Sequence, residues 1–262
     1  MSPRPIPSCH STWNPTTLAR EVEAGRVRAV SRLISLIEND EPGGREALHH
    51  LRAPAKATAV IGVTGYPGAG KSTLIDQLAR AYRRQGKRVG VLAVDTSSPF
   101  TGGALLGDRI RMQGLTDDPG IFIRSMATRG QQGGLARTTH EAVAVLKAAG
   151  YDVTLIETVG VGQLDVDVIG IARPVLLVVA PGLGDEIQAM KAGLLEAAQI
   201  VVVNKGDREG ADAAVCDLTA WHPTVCRTSA LKGDGMPELI EAISEQLRLA
   251  DLQPPPAPPR PR

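Results

Sequence analysis

Short runs of apolar residues alternate along most of the chain with longer segments in which apolar residues recur at helical spacing. Strands that are apolar on both faces and that alternate with helices are typical of a parallel sheet with helices packed on both sides. We therefore expect an α/β fold. The predicted strands are residues 60–64, 89–94, 121–124, 153–157, 175–180, 200–203 and 225–228.

Helical spacing marks the segments before, between and after these strands. Residues 17–39 carry apolar residues at helical intervals that are interrupted near Gly25, which predicts two short amphipathic helices. A loop at residues 41–45 and a further helix near residues 48–51 are expected to lead into the first strand. Further helices are predicted at residues 71–85, 135–149 and 237–249, and a turn into a helix at 181–191.

The junction between the first strand and the next helix reads G-x-x-x-x-G-K-S from Gly65 to Ser72. Glycines let successive backbone N–H groups converge, and the following helix directs its positive dipole end to the same point. Such a concavity binds a triphosphate, whose β- and γ-phosphates Lys71 would neutralise, and the Ser72 hydroxyl would be a ligand of Mg²⁺. The predicted phosphate-binding residues are Gly65, Pro67, Gly68, Ala69, Gly70, Lys71, Ser72 and Thr73.

Acidic residues close two later strands. Asp95 follows the second predicted strand, and Glu157 ends the fourth, three residues before Gly160. Ligands collect at the carboxyl ends of parallel strands, so both carboxylates can engage Mg²⁺ directly or through water, and the Gly160 N–H can sense the γ-phosphate. The predicted Mg²⁺ ligands are Ser72, Asp95, Asp108 and Glu157, and the predicted catalytic residues are Lys71, Glu157 and Gln163.

The strand at residues 200–203 is followed directly by Asn204-Lys205-Gly206-Asp207. Guanine offers N1–H and N2–H₂ donors to a carboxylate such as Asp207, whereas adenine offers an acceptor at N1, so this pattern selects GTP over ATP. The small-residue loop after the last strand can present a backbone N–H to guanine O6. The predicted base-binding residues are Asn204, Lys205, Asp207, Ser229, Ala230 and Leu231.

Composition narrows the classes of function. The formal net charge of +1 argues against nucleic-acid binding, which needs a basic face. No apolar stretch is long and uncharged enough to span a bilayer, and the N-terminus lacks a signal-peptide core, so we expect a cytoplasmic protein without a membrane partner. Cys9, Cys216 and Cys226 are scattered and form no C-x-x-C pair, which indicates neither a disulfide framework nor a thiolate metal site.

The motifs and the pattern together divide the chain into three regions. Residues 1–56 are expected to form a helical N-terminal extension, and residues 57–250 a P-loop GTPase domain. Residues 251–262 are proline-rich and are expected to be a disordered tail. The expected fold class is thus a P-loop NTPase, with a mostly parallel central sheet covered by helices on both faces and a short helical extension.

Six segments together resemble one family. The strings GYPGAGKST, VLAVDTSS, TGGALLGDRIRM, LIETVGVGQ, GDEIQAMKAG and VVVNKGD are similar to those of the GTPases associated with methylmalonyl-CoA mutase, the MeaB/ArgK family. The resemblance implies a GTP-hydrolysing chaperone that loads adenosylcobalamin into a cobalamin-dependent acyl-CoA mutase, gates the release of damaged cofactor and protects the enzyme. GTP or GDP and Mg²⁺ are the implied cofactors. The mutase is the implied partner, with its adenosyltransferase as a further candidate.

The resemblance also implies three switch segments that respond to the nucleotide, at residues 95–108, 157–163 and 185–191. In the third, Asp185, Gln188 and Lys191 become candidates for relaying the nucleotide state to the mutase. Family members usually continue past the last helix with a helical arm that forms a homodimer, whereas this sequence ends in a proline tail. We therefore do not expect a homodimer through that arm, and a monomer or a dimer formed only with the partner stays open.

Two other classes of function share parts of these motifs. A metallochaperone GTPase that delivers a metal to an enzyme has the phosphate loop and the Glu-x-x-Gly arrangement, but it needs thiolate or imidazole ligands near the switches. Between the phosphate loop and Asn204 this sequence has no cysteine and, as its only histidine, His140. A small-molecule kinase shares the phosphate loop, but the N-K-x-D pattern disfavours it.

Overall fold

We describe the fold from a computed structural model of the chain. It describes residues 14–54, 56–95, 113–115, 117–128, 135–160, 165–182 and 194–252. Within these ranges the chain forms one sheet of seven parallel strands in the order β3-β2-β4-β1-β5-β6-β7. The strands are β1 Ala59–Gly65, β2 Val89–Asp95, β3 Ile121–Ala127, β4 Val153–Glu157, β5 Val175–Val179, β6 Ile200–Val203 and β7 Val225–Arg227.

Eight α-helices surround this sheet in the described part of the chain, and the predicted α/β fold class is confirmed. The predicted fifth helix begins later than its apolar pattern suggested, at Thr139 rather than at residue 135. The helix-turn predicted at residues 181–191 lies largely outside the described residues. The helices are α1 Pro15–Glu23, α2 Val27–Glu38, α3 Pro42–His50, α4 Lys71–Arg84, α5 Thr139–Ala148, α6 Leu194–Ala197, α7 Ala211–Thr219 and α8 Met236–Asp251.

The predicted loop at residues 41–45 is wrong, because helix α3 already begins at Pro42. Proline is favoured in the first helical turn, where its missing N–H would have no partner. Gly44, within that first turn, approaches helix α2 so closely that a Cβ there would lie 2.9 Å from the Cβ of Leu36. Gly43 and Gly44 have low helix propensity, so the sequence pattern indicated a loop here. In the structure, the close packing that Gly44 allows outweighs this low propensity.

Alternate side chains of the strands face two helical layers. Ile61 and Val63 of β1 pack with helices α4 and α8 on one face. The neighbouring side chain Val60 faces the other way, into a cluster shared with α1, α2, α3 and α5. Helices α6 and α7 cover the β5–β6 part of that second face. The sheet is therefore buried on both faces, which explains why its strands read as continuous apolar runs.

The three N-terminal helices contribute directly to the core. Leu18, Val22 and Leu33 are fully buried in the same cluster as Leu92 of β2. Arg124 of strand β3 forms an ion pair with Glu38 of α2 and donates a second hydrogen bond to the Ser35 hydroxyl at 3.0 Å. These helices thus pack on the sheet beside its β3 edge, while the division of the chain near residue 56 stays a prediction.

No helix in the described ranges combines the length and the apolar character that crossing a membrane requires.

We expect Leu33→Ala to lower the free energy of unfolding by about 2–5 kcal/mol, because it removes a fully buried side chain and leaves a cavity. Equilibrium unfolding in urea measures this change. Val27→Ala is the matched control on the same helix, since Val27 is 47% exposed and its loss should cost about 0.5 kcal/mol or less. An unchanged unfolding midpoint for Leu33→Ala would contradict the packing of α2 into the core.

Candidate nucleotide-binding site

The phosphate loop connects strand β1 to helix α4, as the sequence predicts. Two of its glycines pack so closely against neighbouring elements that no side chain would fit at either position. A Cβ on Gly65 would lie 2.0 Å from the carbonyl oxygen of Val178 in β5, and one on Gly70 would lie 2.3 Å from Asn204 Nδ2. Both glycines also have positive φ angles, 135° and 96°. The loop is therefore held against β5 and against the residue that follows β6.

Lys71 is the first residue of α4, and its side chain folds back over the loop. Its Nζ donates hydrogen bonds to the carbonyl oxygens of Gly65, at 2.8 Å, and Tyr66, at 3.3 Å. Gly160, beyond strand β4, lies directly beside this amino group, because a Cβ there would be 2.2 Å from Lys71 Nζ and 2.5 Å from Gly65 O. The structure thus brings together the lysine and the glycine that the sequence assigned to two separate motifs.

Ser72, the residue after Lys71, contacts Glu157. The Ser72 hydroxyl donates a 2.7 Å hydrogen bond to Glu157 Oε1, and Glu157 is buried at the carboxyl end of β4. Asp95 ends strand β2, two residues beyond Ala93, which lies level with Glu157 in the sheet. Hydroxyl and carboxylate oxygens are the hard donors that Mg²⁺ prefers, so Ser72 and Glu157 fit the ion.

The loop predicted to recognise the base, Asn204 to Asp207, follows strand β6. Asn204 is buried, and its Nδ2 donates to Ala69 O at 2.9 Å, while its Oδ1 accepts from the Ala230 N–H at 3.0 Å and from the Thr228 hydroxyl at 3.3 Å. One amide therefore links the phosphate loop with the loop after β7. Lys205, the next residue, has a positive φ of 58°, which turns the chain sharply towards Asp207.

The carboxylate of Asp207 has two partners in the loop after β7. The Ser229 hydroxyl donates to its Oδ1 at 2.8 Å, and Lys232 Nζ lies 3.3 Å from its Oδ2. The Ser229 hydrogen bond, with backbone and Lys232 contributions, lowers the pKa of Asp207 below its ordinary value. The carboxylate is thus ionised at neutral pH, the form that accepts hydrogen bonds from guanine.

A cavity of about 210 Å³ adjoins Asp207. Two side chains near Asp207 were not predicted from the sequence to belong to the site. They are Arg227, at the end of β7, and Lys232. No motif marks Arg227, whereas the position of Lys232 three residues after Ser229 could have suggested a partner for Asp207. The cavity is lined by Gly206, Asp207, Arg227, Thr228, Ser229, Asp234 and Gly235.

Some predicted site residues cannot be placed. Asp108, Gln163, Asp185, Gln188 and Lys191 lie outside the described residues. Leu231 is placed, and its side chain is 84% exposed in the loop beyond β7. The N–H of Ala230 in the same loop donates to Asn204, and the contact between this loop and guanine O6 stays a prediction.

The family model described as methylmalonyl Co-A mutase-associated GTPase MeaB matches residues 30–253. The chain belongs to this family. The GTPase ArgK of Escherichia coli is 35% identical over 251 residues, which are 88% of this chain and 76% of ArgK. The mitochondrial methylmalonic aciduria type A homolog of Mus musculus is 41% identical over 199 residues, 71% of this chain and 48% of that protein. A protein of Pyrococcus abyssi with a provisional GTPase name is 50% identical over 241 residues, covering 87% and 74%.

Solved structures give the same fold. The crystal structure of an LAO/AO transport system kinase superposes with a TM-score of 0.74 at 26% identity and covers 91% of this chain and 76% of that one. The hydrogenase maturation factor HypB of Archaeoglobus fulgidus superposes with a TM-score of 0.54 at 19% identity, over 88% and 97%, and this shows the fold alone. The suspected MeaB/ArgK family is confirmed, and the chain is a P-loop GTPase.

We expect Gly160→Ala to weaken the binding of GTP and GDP by about tenfold or more, because the new Cβ would displace Lys71 Nζ and so disturb a charge-assisted contact to phosphate. Displacement of a fluorescent GDP analogue measures both affinities. Gly86→Ala is the matched control, since Gly86 has a similar φ of 75° at the end of α4 but no atom within 4 Å of a new Cβ. Equal affinities for both variants would refute the contact.

Proposed function

We propose that this MeaB-family GTPase is a chaperone of a cobalamin-dependent acyl-CoA mutase in the cytoplasm, and that GTP hydrolysis gates adenosylcobalamin loading and protects the mutase. The observation that carries the proposal is the family match over residues 30–253, which spans all of the nucleotide motifs. The relative named for methylmalonic aciduria type A supports a role beside methylmalonyl-CoA mutase. The adenosyltransferase that supplies the cofactor is the second proposed partner.

The phosphate end of the site is assigned to the residues that meet at the β1–α4 junction. Lys71 is held by two loop carbonyls, so its charge is in place for the β- and γ-phosphates with little rearrangement. Gly160 lies beside this lysine, and its N–H is the proposed sensor of the γ-phosphate. Because the Ser72 hydroxyl donates its hydrogen to Glu157, its oxygen lone pairs stay available to a cation.

Ser72, Asp95, Asp108 and Glu157 are the proposed Mg²⁺ ligands, directly or through water. When bound, the ion would neutralise negative charge that develops on the phosphate oxygens. Gln163 stays the proposed residue that positions the attacking water. Slow intrinsic hydrolysis that the partner accelerates is expected, because electrostatic completion of such a site can be supplied in trans.

The base end is assigned to Asn204, Lys205 and Asp207 together with the loop after β7. The Asp207 carboxylate, kept ionised by Ser229 and Lys232, would accept hydrogen bonds from guanine N1–H and N2–H₂. Adenine would place its N1 lone pair against the same carboxylate, which leaves both groups without a partner. Asp185, Gln188 and Lys191 stay the proposed relay to the mutase.

The metallochaperone alternative gains no support from the residues that can be placed. The ligands that such a protein needs are thiolates or imidazoles, and between the phosphate loop and Asn204 the sequence has no cysteine and, as its only histidine, His140. The likeness to HypB extends to the fold, which unrelated functions share.

We expect Asp207→Asn to weaken GTP binding by about 100-fold and to favour XTP, since two charge-assisted hydrogen bonds are lost while the new amide can donate to the xanthine C2 oxygen. Competition with a fluorescent GDP analogue measures both nucleotides. Asp217→Asn, at an exposed position on helix α7, is the control and should change neither affinity. A variant that still prefers GTP would contradict the assignment of Asp207.

The chaperone role is tested with the purified chain and the cobalamin-dependent acyl-CoA mutase of the same organism. Sedimentation velocity should show a complex whose stability differs between GDP and a non-hydrolysable GTP analogue, and the mutase should accelerate GTP hydrolysis. Lys71→Ala, which should not bind the triphosphate tightly, is the control and should remove the nucleotide dependence. Absence of a complex in both nucleotide states would refute the chaperone proposal and leave the GTPase assignment intact.

A further inference from the structure

Arg227, at the carboxyl end of strand β7, lies directly on the loop that carries Asp207. Its Nε donates to the carbonyl oxygen of Gly206 at 3.0 Å, and its Nη2 donates to the same oxygen. The N–H of Gly206 also has a partner, because it donates to Thr228 O at 2.7 Å. Gly206, the residue immediately before Asp207, is therefore fixed through its carbonyl to the last residue of β7 and through its N–H to the residue that follows β7.

The contact is close enough to determine the residue at position 206. A Cβ on Gly206 would lie 2.7 Å from Arg227 Cγ and 3.0 Å from Thr228 O. The aliphatic stem of the arginine thus packs on the Gly206 backbone while its guanidinium group holds the carbonyl. Movement of this loop away from β7 would break three hydrogen bonds together.

The guanidinium group is itself oriented by helix α7. Arg227 Nη1 donates to Asp212 Oδ1 at 2.5 Å, and Asp212 lies in the first turn of that helix. The two side chains are 49% and 86% exposed, so this ion pair adds little to the stability of the fold. The guanidinium group thus bridges α7 and the Asp207 loop, with Nη1 on Asp212 and with Nε and Nη2 on the Gly206 carbonyl oxygen.

We infer that Arg227 is a positioning residue for guanine recognition, which holds the Gly206 carbonyl so that the neighbouring Asp207 carboxylate faces the base. This inference rests on the proposed role of Asp207. Arg227 acts through the backbone, and the directional fork of the guanidinium makes the contact one that lysine cannot replace, since an ammonium group presents its donors from a single point.

The test is the affinity of Arg227→Met for GDP and for IDP, whose hypoxanthine base lacks the N2 amino group. If the carboxylate is no longer held in position, the affinity for GDP should fall by about tenfold, which corresponds to one charge-assisted hydrogen bond. The affinity for IDP should fall by less, because IDP lacks the N2 amino group. The ratio of the two affinities should fall accordingly. For GTP hydrolysis, KM should rise while kcat stays near that of the unaltered protein, because the phosphate end is untouched.

Arg227→Lys should not restore the ratio of the GDP affinity to the IDP affinity. Asp212→Asn should lower this ratio too, but by a smaller factor. Arg248→Met removes another exposed arginine ion pair, with Glu245 on α8, and is the matched control that should leave the ratio unchanged. If Arg227→Met does not fold, Arg227→Lys decides, since it keeps the charge and the aliphatic stem but lacks the guanidinium fork.

A GDP-to-IDP ratio equal to that of the unaltered protein in a folded Arg227→Met would overturn the positioning role, and so would the same result in Arg227→Lys where the methionine variant does not fold. An unaltered protein that shows no preference for GDP over IDP would instead overturn the role of Asp207. The two failures are therefore distinguishable.

Discussion

The buried amide of Asn204 holds the two ends of the nucleotide site together. It donates to Ala69 in the phosphate loop and accepts from Ala230 in the loop after β7, so three segments far apart in the sequence meet at one side chain. A primary amide suits this place because it offers a donor and an acceptor on one rigid plane. Its burial makes both hydrogen bonds necessary, since an unsatisfied amide in the interior costs about 1–3 kcal/mol.

This arrangement depends on the parallel sheet. Strands β1, β4 and β6 end at the same edge, which places the phosphate loop, Glu157 and Asn204 within reach of one ligand. Glycine then sets the spacing, because Gly65 admits the carbonyl of Val178 and Gly70 admits the Asn204 amide at distances where a methyl group would collide. The phosphate loop can thus lie directly against β5 and against the Asn204 side chain, because both contacts are made by glycine.

Most of the strands, and the motifs at their ends, could be predicted from the sequence, because apolar runs and glycine patterns are local signals. The contacts that complete the site could not. Arg227 and Lys232 belong to no motif, and their roles arise only when β7 lies beside β6. Likewise, the sequence pattern of α2 showed an apolar face but not what packs on it, which is the sheet beside Arg124. The glycines near the start of α3 made its first turn look like a loop.

The proposed selectivity for guanine also depends on the charge state of Asp207. A protonated carboxyl group has an O–H that could donate to adenine N1, so discrimination between the bases requires the ionised form. The Ser229 hydroxyl, together with Lys232, lowers the pKa of Asp207, and the carboxylate consequently remains charged at pH values below those at which an ordinary aspartate protonates. The same contacts that hold the carboxylate in position would therefore extend the pH range over which Asp207, in its proposed role, distinguishes guanine from adenine.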